Sequence, residues 1–266
     1  VSRLVCVSNR VAVPRSGAAP GGLTVGVLAA LEARGGLWFG WSGETAERRQ
    51  AGADLHVRRG ITYATIDLPR REFERYYNGF CNGVLWPLFH YLANDLPYSS
   101  DGRSAWLDVN RRFANALAPL LRSDDLVWVH DYHLIPLGRE LRALGVGNPI
   151  GFFLHIPWPA SQLLTTLPRH RQLVSALFDY DLVGFQTDEW LWAFESYVLG
   201  EAAGTWGEDG RLCAFNRSLR AKAFPIGLDV AEFTKLLSSP VAMRAYDRMA
   251  AASVFRKMLV GVDRLD

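Results

Sequence analysis

The sequence of 266 residues is 49% hydrophobic and carries 29 basic and 27 acidic side chains, which leaves a formal net charge of +2. This near-balance argues against a nucleic-acid-binding surface, and no apolar run approaches the ~18 residues of a membrane span. Cys6, Cys81 and Cys213 are far apart and lack a CxxC spacing, which indicates neither a disulfide framework nor a zinc knuckle. Such cysteines are typical of a reducing compartment. Arg10 closes the first apolar stretch, so no signal peptide is indicated and a cytoplasmic protein is predicted.

Short apolar runs recur along the chain and predict buried strands. They are Leu4–Ser8, Leu126–His130, Ile150–His155, Leu182–Gln186 and Met258–Val262. Longer stretches with helical periodicity separate them, including Arg103–Leu121, Leu134–Leu144 and Thr187–Leu199. Strands that are apolar on both faces and joined by helices predict an α/β fold, with a parallel sheet covered by helices on both sides. Trp38–Trp41 and Ile61–Leu68 are interpreted as an inserted hairpin.

Polar side chains with distinctive chemistry follow four of the predicted strands. They are Ser8-Asn9-Arg10, His130-Asp131-Tyr132-His133, His155 and Gln186. In open α/β sheets, ligands bind outside the carboxyl ends of the strands. These clusters therefore outline a candidate site at one edge of the sheet.

Gly21 and Gly22 precede a segment with helical periodicity, which is closed by Gly35 and Gly36. The pattern predicts a glycine loop, a helix and a glycine C-cap. Unpaired N–H groups at the start of that helix could hold a phosphate, although Gly-Gly alone is equally typical of a plain turn. Arg10 lies just upstream, and a guanidinium at a strand end beside a glycine loop favours a phosphate or diphosphate.

The histidines after the predicted strands have more than one interpretation. His130 and His133 with Asp131 resemble a divalent-metal site, but no third ligand is obvious, so we expect no metal. Hydrogen bonding is favoured, in which Asp131 accepts from sugar hydroxyls and the histidines orient side chains or loop backbone. Strand-end structural roles for both histidines are the alternative. His155 precedes a proline-stiffened loop and is interpreted as a donor to a substrate oxygen that gains charge. A rigid turn with an incidental histidine is the competing interpretation.

The motifs together resemble trehalose-6-phosphate synthases, and they follow one another in order along the whole chain. They are Ser8–Val11, Gly21–Leu23, Gly36–Glu44, Tyr76–Asn78, Leu85–Pro87, Val129–Leu134, Gly151–Pro157, Gly184–Thr187, Pro225–Gly227 and Val262–Asp266. The resemblance implies the N-terminal domain of a GT-B glycosyltransferase, a Rossmann-like parallel sheet with helices on both faces. It also implies transfer of glucose from a nucleotide sugar, usually UDP-glucose, to glucose 6-phosphate with retention, and no cofactor.

The resemblance also implies roles for individual residues. His155 and Asp131 would act in catalysis. Contacts to glucose 6-phosphate would come from Arg10, Tyr77, Trp86 and Asp131, with Arg10 and Tyr77 on its phosphate. Gly21 and Gly22 would approach the donor diphosphate, His155 would hydrogen-bond the transferred glucose, and Arg264 would neutralise the leaving phosphate. Trp158 stands where the family more often has phenylalanine, and Gln162 where an acidic residue is common, and both departures bear on the fit of the substrate.

The resemblance divides the chain into two regions. Residues 1–227 are predicted to form the acceptor-binding domain, and residues 228–266 an interdomain segment and the first strand of a truncated nucleotide-sugar domain. We therefore expect residues 1–266 alone to be inactive. Two alternatives stay open: a non-catalytic homologue that senses a sugar phosphate, and a related GT-B enzyme with another acceptor. The nucleotide base and the oligomeric state, including a homo-oligomer, are also left open.

Overall fold

The computed structural model describes residues 2–11, 22–49, 52–94, 96–227, 230–254, 256–259 and 261. The chain divides into two compact units, Val1–Pro225 and Ile226–Asp266. The strands are β1 Leu4–Arg10, β2 Gly36–Ala46, β3 Asp54–Arg58, β4 Ile61–Pro69, β5 Leu126–His130, β6 Ile150–Phe153, β7 Leu182–Phe185, β8 Thr205–Trp206, β9 Leu212–Ala214 and β10 Arg217–Ala223.

The α-helices of the first unit are α1 Gly22–Arg34, α2 Arg70–Phe73, α3 Trp86–Phe89, α4 Ser100–Leu117, α5 Leu137–Ala143, α6 Ser161–Leu164, α7 His170–Leu177 and α8 Asp188–Gly200. A π-helix spans Glu74–Leu85, and short 3-10 helices span Ala118–Leu120 and Tyr132–Leu134. The second unit contains α9 Val230–Leu237 and α10 Pro240–Ala252. No helix in the described part of the chain is both long enough and apolar enough to cross a bilayer.

In the described residues one ten-stranded sheet has the order β3-β4-β2-β1-β5-β6-β7-β10-β9-β8. From β4 to β10 all neighbouring strands are parallel, while β3, β9 and β8 pair antiparallel at the two edges. The chain moves outward from β1 through β2 to β4, and then returns to β5 on the other side of β1. The strand order therefore reverses between β1 and β5, where open α/β sheets form their ligand crevice.

Alternate residues of β1 enter two separate cores because successive side chains of a strand point to opposite faces. Val5 and Val7 pack in the larger core, which includes residues of α4 and α5. Leu4 and Cys6 pack in the smaller one, with Val27 and Leu31 of α1. Helices thus cover both faces, and the α/β prediction is confirmed.

The hairpin interpretation is wrong. Trp38–Trp41 and Ile61–Leu68 lie in β2 and β4, which are parallel neighbours, and Trp38 lies opposite Tyr63. The antiparallel hairpin is instead β3 with β4, turning through Arg59 and Gly60, both at positive φ. β2 is buried between β1 and β4, so its apolar run belongs to the sheet interior rather than to an insertion.

The strand predicted at Met258–Val262 is not formed at its described positions. Met258, Leu259 and Gly261 have no regular secondary structure, and residues 260 and 262 lie outside the described residues. A strand requires a hydrogen-bonded neighbour. The two helices of this unit leave several large apolar side chains exposed, including Val230, Leu237 and Tyr246.

Candidate active site

The carboxyl end of β1 places Arg10 beside the ligand crevice. Arg10 lies opposite Trp41 of β2, and its guanidinium carbon is 5.8 Å from the centroid of the Trp41 ring. Gly43 has φ +93, and a Cβ added to it would lie 2.6 Å from Arg10 Nε. The backbone angle thus favours glycine at this position, and any larger residue would displace the Arg10 guanidinium. We call Arg10, Trp41 and Gly43 the cationic end of the site.

Buried hydrogen bonds of Ser8 and Asn9 hold the carboxyl end of β1 in place. Ser8 Oγ donates to the backbone oxygen of Arg10 and accepts from Trp38 Nε1, each over 2.8 Å. Asn9 Oδ1 accepts from the hydroxyl of the buried Tyr76 over 2.6 Å. These bonds satisfy polar groups that would otherwise be costly to bury, and they leave Arg10 exposed.

Tyr77 lies on the π-helix, between Trp41 of the cationic end and His133, which follows β5. Its ring centroid is 6.1 Å from that of Trp41 and 5.5 Å from that of His133, with the His133 ring nearly parallel at 11°. The wider π turn, in which the Trp86 amide bonds to the Cys81 carbonyl five residues earlier, sets which residues of this segment face the site. Such turns are frequent at functional sites.

Asp131 follows β5 with a backbone that is unusual for a non-glycine residue, at φ 77 and ψ 162. Its amide donates to the Phe153 oxygen over 2.8 Å, and its Oδ1 accepts from the amides of Tyr132 at 3.0 Å and His155 at 3.3 Å. A backbone in this region costs on the order of 1–3 kcal/mol and persists where the surroundings enforce it, most often at functional sites. Here the hydrogen bonds to the ends of β5 and β6 enforce it.

His155 follows β6 and contacts the last residue of β5. Its Nε2 is 3.0 Å from Nδ1 of His130, and its amide is bound to Asp131. His130 is 1% exposed, whereas His155 is half-buried. We call His130, Asp131 and His155 the buried end of the site.

Burial controls the protonation of the buried end. It raises the pKa of Asp131 to about 6, although the two amide donors oppose the shift. Burial also lowers the pKa of His155 to about 4 and that of His133 to about 3. For His130 the pKa falls well below its usual value, first through burial and then through the neighbouring His155. The histidines are therefore neutral at pH 7 and act as hydrogen-bonding groups rather than as charges.

The structure brings four of the eight predicted site residues together, Arg10, Tyr77, Asp131 and His155. Contacts lead from Arg10 through the rings of Trp41, Tyr77, His133 and Tyr132, and the Tyr132 amide then bonds to Asp131, which also accepts from the His155 amide. Sequence reasoning missed Trp41 and the stacking of His133 on Tyr77. Trp41 had one available signal, its place at the end of the apolar run Trp38–Trp41, two residues before Gly43.

The other residues named from the sequence have different surroundings or lie outside the described residues. Trp86 stacks on His90, with centroids 4.1 Å apart. Trp158 is 1% exposed and packs edge-to-face on Phe89, Phe185 and Phe194, so this departure belongs to the core, while Gln162 is exposed on α6. Gly22 begins α1, and Gly21 and Arg264 lie outside the described residues.

No group of three or more His, Cys, Asp or Glu side chains within the described ranges is arranged to hold a metal ion. His130, Asp131 and His155 instead offer hydrogen-bond donors and acceptors at the same edge of the sheet as the exposed guanidinium of Arg10. Such a set is typical of a site for a phosphorylated, hydroxyl-rich ligand.

Residues 9–266 match the model of glycosyltransferase family 20. The chain belongs to glycosyltransferase family 20. It is 43% identical over 270 residues to a trehalose-6-phosphate synthase of Sinorhizobium fredii, and the match covers 100% of this chain and 58% of that protein. A trehalose-6-phosphate synthase of Escherichia coli K12 is 41% identical over 268 residues, and the match covers 100% of this chain and 56% of that protein. This family 20 chain thus spans little more than half the length of these relatives.

Two solved structures of family 20 relatives extend the comparison to the fold. A Burkholderia xenovorans alpha,alpha-trehalose-phosphate synthase (UDP-forming) in complex with glucose-6-phosphate superposes with a TM-score of 0.86 at 47% identity, covering 96% of this chain and 56% of that one. An Escherichia coli structure bound with UDP-2-fluoro glucose superposes with a TM-score of 0.84 at 41% identity. The match covers 94% of this chain and 54% of that one. The predicted family and the GT-B fold are confirmed.

Proposed function

We propose that this chain is the acceptor-binding part of a trehalose-6-phosphate synthase. The enzyme transfers glucose from UDP-glucose to glucose 6-phosphate with retention at the donor carbon and releases UDP. The observation that carries the proposal is the unbroken set of contacts from Arg10 to His155 at the crevice between β1 and β5. A cationic group at one end, and two neutral histidines with one carboxylate at the other, match a sugar phosphate in charge and polarity. The relatives that bind glucose-6-phosphate and a UDP-glucose analogue support the choice of substrates.

Arg10, Tyr77 and Asp131 have roles that their surroundings favour, whereas the role of Trp86 rests on the family resemblance alone. Arg10 is exposed and charged, so it binds the acceptor phosphate, with Tyr77 beside it. Asp131 is a carboxylate above pH about 6 and accepts from an acceptor hydroxyl. Trp86 closes the acceptor site through its indole.

The donor substrate would meet the other residues. His155 donates to the transferred glucose, where a fixed donor strengthens as charge develops in the transition state. Gly22 begins α1, a helix of 13 residues whose free N–H groups suit the donor diphosphate, with Gly21 before it. Arg264 neutralises the departing phosphate. The donor base is proposed as uridine on the relatives' names alone.

We further propose that residues 1–227 form the acceptor-binding domain and that residues 228–266 lead into the nucleotide-sugar domain. Because the chain spans little more than half of its relatives, residues 1–266 alone should bind glucose 6-phosphate but transfer no glucose. We place the enzyme in the cytoplasm, in keeping with the free Cys6, Cys81 and Cys213. A homo-oligomer stays compatible with these proposals.

The test uses the complete protein, UDP-glucose and either glucose 6-phosphate or glucose. We expect UDP release with the phosphorylated acceptor and an α,α-linked product by NMR. Binding of glucose 6-phosphate without any transfer would favour the sensing homologue, and transfer to another sugar would favour the related GT-B enzyme. Calorimetric titration of residues 1–266 with both substrates tests the division of labour, and UDP release by that polypeptide would contradict it.

A further inference from the structure

His130 is a buried titratable group to which the proposed function gives no role. It is 1% exposed, and its ring lies 4.3 Å from the ring of Trp128 on the same strand. Its Nδ1 is 3.0 Å from Nε2 of His155, and its Nε2 is buried with no hydrogen-bond partner among the described residues. A buried histidine bonded through one nitrogen only has two tautomers of unequal cost.

In the first tautomer His130 carries its proton on Nδ1 and donates it to His155. The unpartnered Nε2 of His130 is then a bare acceptor. In the second, His155 donates from its Nε2, and the buried Nε2 of His130 holds a proton with no acceptor. Orphaned buried N–H groups are rarer than unsatisfied acceptors, so the first tautomer is favoured.

This choice fixes the proton on His155. An imidazole that is neutral at pH 7 carries one proton, and if its Nε2 accepts from His130 the proton must lie on Nδ1. His155 Nδ1 makes no hydrogen bond to any described residue and is therefore available to a ligand. The two rings are nearly stacked, with an interplanar angle of 29°, and Phe153 packs 4.7 Å from the His155 ring.

We propose that His130 is a positioning residue that donates from Nδ1 to His155 Nε2 and so holds His155 as the Nδ1–H donor toward the transferred sugar. The sugar's identity rests on the proposed function, but the tautomer does not. The arrangement orients the donor before the substrate arrives, because the second nitrogen of a histidine is set by the bond that the first one makes.

The tautomer can be observed directly. Neutron diffraction from crystals of the complete protein, exchanged into D₂O near neutral pH, locates the deuterons on both rings. We expect deuterium on Nδ1 of His130 and Nδ1 of His155. Deuterium on Nε2 of His155 would overturn the proposal, whether or not the protein transfers glucose, so its failure differs from failure of the proposed function.

Kinetics of the complete protein separate positioning from packing. Asparagine places its amide nitrogen near the position of a histidine Nδ1, whereas glutamine reaches the position of Nε2. His130→Gln should lower kcat by about 10- to 100-fold, less than the 10²–10³ expected for loss of a direct donor, with little change in the KM for glucose 6-phosphate. His130→Asn should recover a substantial part of that loss.

The matched control is His170→Gln, which leaves the Nδ1 position empty and so removes a 2.6 Å hydrogen bond between His170 Nδ1 on α7 and the Tyr197 hydroxyl on α8. It should leave kcat unchanged. Equal losses in His130→Asn and His130→Gln, or no loss in His130→Gln, would reduce His130 to a packing role. Melting temperatures identify a variant that fails to fold, and the neutron measurement then decides.

Discussion

The two ends of the site differ in how the fold treats charge. At the cationic end Arg10 is exposed and held by the Trp41 ring and by the space that Gly43 leaves. At the buried end burial keeps the histidines neutral and moves the pKa of Asp131 to about 6. An exposed cation recognises a phosphate at modest desolvation cost, while buried neutral groups give hydrogen bonds that are stronger in a low dielectric. The contrast predicts that the cationic end governs acceptor affinity and the buried end governs the chemical step.

The largest effect is expected from His155→Ala in the complete protein. Loss of a preorganised donor should lower kcat by about 10²–10³, or ~3–4 kcal/mol, with little change in the acceptor KM. Steady-state kinetics with both substrates varied measure this. A raised acceptor KM at unchanged kcat would move His155 to the acceptor site and remove the contrast between the two ends.

Arg10→Ala should act at the other end. Loss of a charge-assisted phosphate contact should weaken the binding of glucose 6-phosphate by ~2 kcal/mol and leave the binding of unphosphorylated glucose almost unaffected. Gly43→Ala is the matched variant, because it displaces the guanidinium without removing its charge. Equal losses for both sugars after Arg10→Ala would show that this arginine does not bind the phosphate.

Asp131 should give the acid limb of the pH profile. As pH falls through about 6 its carboxylate is protonated and can no longer accept from a sugar hydroxyl, so kcat/KM should fall about tenfold per pH unit. The site histidines should not contribute, because their pKa values lie lower. The phosphate of the acceptor also titrates near pH 6, so the profile is repeated with Asp131→Asn. An unchanged limb in that variant would assign it to the substrate.

The smallest effect concerns stability. Burial lowers the pKa of His133 from 6.5 to about 3. Its contribution to the free energy of unfolding is therefore present above pH 6.5 and is lost as pH falls toward the pKa of the folded protein. His133→Phe keeps a ring beside Tyr77 and removes the titration. It should reduce the loss of unfolding free energy between pH 6.5 and 5 by about 1–2 kcal/mol.

Denaturant unfolding at the two pH values measures this. Asp131 acts in the opposite direction, since its raised pKa stabilises the acid form and that contribution is lost as pH rises through about 6. An identical pH slope in His133→Phe would mean that the buried histidine does not contribute to acid instability.

Much of the fold was determined by local pattern. The apolar runs at Leu4–Ser8, Leu126–His130, Ile150–His155 and Leu182–Gln186 became β1, β5, β6 and β7, because a strand buried on both faces must be continuously apolar. The clustering of Arg10, Asp131 and His155 followed from the same logic, since parallel strands end at one edge.

Tertiary structure decided what depends on neighbours distant in sequence. Periodicity identifies a strand but not its partner, so the sequence pattern does not show that β2 and β4 are parallel neighbours. The sequence named Tyr77, His130 and Asp131, but not the π turn, the imidazole pair or the positive φ. Each of these is stabilised by contacts from other elements: Phe153 and His155 hold the backbone of Asp131, and burial among several strands sets the protonation of the histidines. Local sequence sets which chemistry is available, while the surrounding packing sets its geometry and charge.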